Sequence, residues 1–77
     1  MDSLAQAIAL LQELAQDSGT PKNAKVKLNG TITILQQTGT MNVSKAMGQL
    51  ESLSDDVNMP SHMRTQLFSV VSLLEIV

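Results

Sequence analysis

The chain has 77 residues, no cysteine, and five Lys plus Arg against seven Asp plus Glu. A length of this order holds a single domain, 1–77, that buries only about 60% of the surface its unfolded form exposes; with disulfides and thiolate metal sites excluded, oligomerisation is the remaining aid to stability. A formal charge of −2 offers no long-range attraction to nucleic acid or acidic lipid, which argues against both as partners.

The first helix is expected over 3–17, where Leu4, Ala7, Ile8, Leu11, Leu14 and Ala15 recur at intervals of three and four. Asp2 or Ser3 can cap it, and Ser3 with Gln6 has the spacing of a capping box. Asp2 also stands where an export signal would be basic, so a cytoplasmic location is expected. The second helix is expected over 21–37, with Pro21 in the first position, Thr20 as its cap, and Ala24, Leu28, Ile32 and Leu35 as its apolar face. Thr38, Gly39 and Thr40 form the next loop, Gly39 being suited to a left-handed C-cap. The third helix, 43–56, follows Asn42 as its cap and carries Val43, Ala46, Met47, Leu50 and Leu53. The fourth, 60–75, starts at Pro60 and carries Met63, Leu67, Val70, Val71 and Leu74. Its apolar run from Leu67 to Leu74 is far short of the roughly 20 residues that span a bilayer, so no membrane partner is expected. Strand-like alternation is absent, and the fold class is all-α.

Pro21 and Pro60 are 39 positions apart, and their surroundings align at that offset without gaps. Ala7 falls on Ala46, Leu11 on Leu50, Leu14 on Leu53, Asp17 on Asp56, Leu28 on Leu67 and Leu35 on Leu74; Lys25 falls on Arg64. The expected architecture is two tandem helix-turn-helix units, 3–38 and 42–77, of HEAT-like size. In an open stack of two units, the last helix lacks a neighbour on one side. Phe68, Leu73 and Ile76 point away from its main apolar face, and these residues with Val77 are the expected interface of a homodimer.

The run Asp56, Val57, Asn58, Met59, Pro60, Ser61, His62, Met63, Arg64 and Thr65, followed by Phe68, Val71, Ser72, Leu74 and Glu75, resembles the C-terminal signature of an archaeal family catalogued as uncharacterised protein family 0147. Asp17, Pro21, Lys22, Asn23 and Lys25 resemble the earlier turn of the same family. The resemblance covers nearly the whole chain, with Met63 standing where that family more often has Ala. It implies an archaeal, cytoplasmic, all-α protein without an assigned activity.

Asp17 and Asp56 each stand four residues before a proline and eight before a basic residue, Lys25 or Arg64. An acid so placed accepts bonds from the N–H groups opening the next helix or pairs with that basic residue, which makes Asp17, Pro21, Asp56 and Pro60 structural turn residues; ligand-binding dyads are the weaker reading. His62, the one histidine, has neither a nucleophile to activate nor enough nearby ligands for zinc, so neither an enzyme nor a cofactor is expected. Lys22, Lys25 and Lys27 form the positive cluster, which with Arg64 would bind an anion; a solvated basic face is the plainer reading, since the chain has one Phe and no Tyr or Trp to stack on bases. Met59 and Met63 are expected to fill the core rather than form an adaptable surface. The leading expectation is a non-enzymatic protein-interaction module acting on itself or on an unidentified protein. A weak nucleic-acid or phosphate binder is the alternative.

Overall fold

A computed structural model describes residues 2–37 and 42–76. Four helices form among them: α1 (Ser3–Gln16), α2 (Lys22–Gln36), α3 (Asn42–Ser54) and α4 (Ser61–Glu75). Asp2 starts α1 by accepting a 2.7 Å bond from the Ala5 backbone N–H, so the cap is Asp2 and Ser3 is the first helical residue. Asn42 opens α3 as its first residue, and its Nδ2 is buried without a hydrogen-bond partner among the described residues. The Gly39 loop expected between the units, and Val77, lie outside the described residues.

The two turns use the same bonds at the 39-residue offset. Asp17 N donates to Leu14 O (3.3 Å) as Asp56 N donates to Leu53 O (3.1 Å), and Thr20 N donates to Asp17 O as Met59 N donates to Asp56 O, both at 3.1 Å. Pro21 and Pro60 then occupy the N-cap with φ of −56° and ψ of 146° and 144°, so each helix starts one residue after its proline. The expected cap role of Thr20 is not what the structure shows. One residue too early to cap α2, Thr20 turns its buried hydroxyl back to Leu14 O at 2.6 Å. That carbonyl lies in the last turn of α1 and already accepts from the Asp17 N–H at 3.3 Å, so the hydroxyl adds a second, shorter bond from outside the helix.

The open HEAT-like stack is corrected by the packing. In such a stack, first helix lies on first helix and second on second. Here α1 packs on α2 and α4, and α3 packs on α2 and α4, while the diagonal pairs do not touch among the described residues. The four helices close into a ring, with a radius of gyration of 11.3 Å, about the value for a compact chain of this length. Ala7, Leu11 and Leu14 of α1, Ala24, Leu28, Ile32 and Leu35 of α2, Ala46, Leu50 and Leu53 of α3, and Met63, Leu67, Val70 and Leu74 of α4 fill its centre. Met59 and Met63 are both buried in this core. Closure also removes the argument that the last helix has nothing inside the monomer to cover its second side: α1 covers it.

Candidate functional site

Thr20 Oγ1 lies 3.4 Å from Met63 Sδ, and a Cβ added at Gly19 would stand 3.5 Å from Met63 Cε. The first turn therefore rests on the opening of α4, which puts both turns and the starts of α2 and α4 at one end of the ring. Asp17, Pro21, Lys22, Lys25, Asp56, Pro60, His62 and Arg64 gather at that end. The two acids do not reach across to the next helix. Asp17 Oδ1 accepts from Gly19 N at 2.8 Å and Asp56 Oδ1 from Asn58 N at 2.9 Å, each a bond inside its own turn. Neither forms an ion pair with Lys25 or Arg64 among the described residues.

The lysines do not converge. Lys22 is exposed and Lys25 half-buried near the start of α2, whereas Lys27 stands about 140° round the helix from Lys22. There it lines a groove of about 300 Å³ between α2 and α3, together with Val26, Gly30, Gln49 and Ser52. Arg64 is half-buried and His62 exposed on α4. The helix starts at Pro21 and Pro60 have no side-chain cap, and the carboxylates of Asp17 and Asp56 stand in the turns just before them. Among the described residues no group of three or more His, Cys, Asp or Glu could hold a metal ion, and no helix is long and apolar enough to cross a membrane.

The outer face of α4 is different. Phe68, the chain's only aromatic residue, is 59% exposed, and Ile76 is 72% exposed. They share a stripe with Thr65 and Ser72, at helical spacings of three and four. Leu73 is half-buried and packs against the core. At the 39-residue offset, the same stripe on α2 reads Val26, Asn29, Thr33 and Gln37, so Asn29 and Gln37 stand where α4 has Phe68 and Ile76. Of the matching helices α2 and α4, only α4 therefore carries large apolar side chains at these two positions.

Sequence reasoning missed three features. Thr31, fully buried, places its hydroxyl 2.8 Å from Lys27 O and 2.7 Å from Gln49 Oε1, tying α2 to α3. Its position three residues after Leu28 and four before Leu35 put it on the core face, which is the signal that could have found it. Val26 and Val57 are exposed at 69% and 89%, and no spacing rule singles them out. The groove beside Lys27 depends on which helices meet, which no periodicity encodes.

The model of the uncharacterised protein family UPF0147 matches residues 1–77. A UPF0147 protein from Saccharolobus islandicus is 38% identical over 77 residues, covering 96% of this chain and 86% of its own length. Another, from Thermoplasma volcanium, is 33% identical over 73 residues, covering 91% and 82%. The crystal structure of a protein of unknown function, MMP1188, matches with a TM-score of 0.87 at 29% identity, over 97% of this chain and 89% of that one. The relatives are archaeal and all-helical packing is shared with the solved structure. A family model spanning every residue, and relatives above 30% identity over nearly the full length, establish that the chain belongs to the uncharacterised protein family UPF0147.

Proposed function

We propose that the protein is a non-enzymatic interaction module that associates with a second copy of itself through the outer face of α4. The observation that carries this reading is the exposure of Phe68 and Ile76 on one stripe of a helix whose counterpart, α2, is polar at the same positions. Isolated exposed apolar residues are ordinary on a protein surface. Two on one stripe, about 12 Å apart along the axis, make a patch, and covering a side chain such as Phe68 is worth about 1.5–3 kcal/mol. A cytoplasmic location belongs to the same proposal and is checked by cell fractionation.

Light scattering over a concentration series tests it, with Phe68→Lys and Ile76→Lys beside the parent chain. The parent is expected to dimerise as concentration rises, and the lysine variants to stay monomeric with unchanged helical circular dichroism. A parent that remains monomeric throughout overturns the proposal. The alternative, a weak nucleic-acid or phosphate binder using Lys22, Lys25, Lys27 and Arg64, has less support: Lys27 faces away from Lys22, and carboxylates stand before both uncapped helix starts. It predicts a salt-dependent shift of labelled RNA at low ionic strength, and the absence of that shift removes it.

A further inference from the structure

We infer that the two copies pair with their α4 helices antiparallel, Arg64 of each chain facing the partner's Glu75. The inference rests on the self-association proposed above and adds its geometry. Apart from His62, Arg64 and Glu75 are the only ionisable side chains of α4, one in its first turn and one at its last residue. They lie eleven positions apart, which at roughly 100° per residue brings them within about 20° of each other, on the same edge of the exposed stripe. Neither makes an ion pair within its own chain among the described residues.

A two-fold axis between antiparallel helices sets each edge against the same edge of the partner. Arg64 then meets Glu75 twice over, in a register whose centre falls between residues 69 and 70. The same register puts Phe68 against the partner's Ser72 and Ile76 against the partner's Thr65, a large side chain against a small one at each apolar contact. Parallel pairing would stack Phe68 on Phe68 and set Arg64 and Glu75 each against the partner's opposite edge, where neither meets a charge of opposite sign. The partial charges of the helix ends favour the antiparallel arrangement as well. One helix face offers less than the about 800 Å² per partner of a standard interface, so the pairing is a concentration-dependent equilibrium.

The test combines charge reversal with cross-linking in the full chain. R64E and E75R singly should each weaken dimerisation roughly ten-fold by light scattering, and the double variant R64E/E75R should return toward the parent. In a parallel pair neither residue faces a charge of opposite sign, so each single reversal changes little. The chain has no native cysteine, so S69C and S61C report position cleanly. Ser69 lies beside the axis, whereas the two Ser61 residues stand roughly 25 Å apart along the helices. A short bismaleimide should therefore link S69C into dimers and leave S61C unlinked. Dimers that tolerate the single reversals, or that link through S61C, overturn the antiparallel geometry while leaving self-association standing. A chain that is monomeric at every concentration overturns both.

Discussion

The turns at residues 17–20 and 56–59 make the same bonds at matching positions, but the helix contacts beyond them are chemically unlike. Where α2 meets α3, the buried Thr31 hydroxyl lies 2.7 Å from Gln49 Oε1, with Gly30 and Gly48 beside the pair. At the 39-residue offset, α4 and α1 have Val70 for Thr31, Leu10 for Gln49, Ser69 for Gly30 and Ala9 for Gly48. Val70 is buried and Leu10 packs against the core. A turn admits few backbone solutions, so its bonds stay the same when the surroundings differ. A helix contact can be made by apolar filling or by a directional polar pair, and only the second is lost when the helices slide. The polar pair thus gives one side of the ring a fixed register that the apolar side does not impose.

The two units meet in one shared core. Leu28 and Leu67 are fully buried at matching positions, so Leu28→Ala and Leu67→Ala should each cost about 2–5 kcal/mol. In a chain this small, that loss leaves little folded population at room temperature. Urea denaturation at low temperature should show midpoints for the two variants that fall together. If one variant keeps a native midpoint while the other unfolds, the two units do not share one cooperative core.

The polar pair gives a smaller and sharper test. Thr31→Val copies the residue found at Val70 and leaves the exposed Gln49 amide to water, so it should cost about 0.5–1.5 kcal/mol. Adding Gln49→Leu copies the other side of the ring and puts an apolar contact in place of the polar one, so the double variant should recover most of that loss. The hydroxyl has one proton and two oxygens near it, Lys27 O and Gln49 Oε1; with the Gln49 amide turned over, its Nε2 donates to Thr31 while Thr31 donates to Lys27 O. Each group is then satisfied, and neither substitution is neutral by itself. A double-mutant cycle that shows no coupling would count against the bond as a fixed register.

The sequence made the elements legible and left their arrangement open. Apolar spacing located all four helices to within about two residues, because the buried face of a helix is set by its own periodicity. The same spacing cannot say which helix a face meets. For that reason α4 was read as uncovered, whereas the ring places α1 against it and leaves Phe68 and Ile76, not the whole face, in solvent. Thr20 departs from the expected cap role for a local reason: with proline as the N-cap, the residue before it is free to bond backwards to Leu14 O. The candidate site was legible as residues but not as a constellation. Lys22, Lys25 and Lys27 are close in sequence, and a helix separates such neighbours around its circumference.

The glycines beside the polar pair sharpen the same contrast in the opposite direction. A Cβ added at Gly30 or Gly48 meets nothing within 4 Å, and both lie inside helices. Gly30→Ala and Gly48→Ala should each stabilise the chain by about 0.5–1 kcal/mol, read as a rise in melting temperature. The matching Ser69 and Ala9 show that the opposite side of the ring already accepts a side chain at these positions. A fall in melting temperature for either variant would mean that α2 and α3 approach more closely in solution than the structure places them.

The smallest expected effect concerns the turns, where the two units agree. Asp17→Ala removes the bond from Gly19 N, and Asp56→Ala removes its counterpart from Asn58 N. Both bonds are exposed, and water can replace the carboxylate, so each loss should be about 0.5 kcal/mol and the two should match. Asn58 stands where the first turn has Gly19, and Gly19 has no positive φ, so neither turn depends on glycine's wider backbone freedom. A Cβ at Gly19 would stand close to Asp17 Oδ1, at 3.3 Å, and in ordinary contact with Met63 Cε at 3.5 Å, so a longer side chain there meets Met63 next. The second turn already carries a side chain at that position, and Ala24 is the counterpart of Met63. Gly19→Asn in a chain that also carries Met63→Ala should therefore be better tolerated than Gly19→Asn by itself. Thermal melts that show no such coupling would mean that the first turn is not held against α4 by Met63.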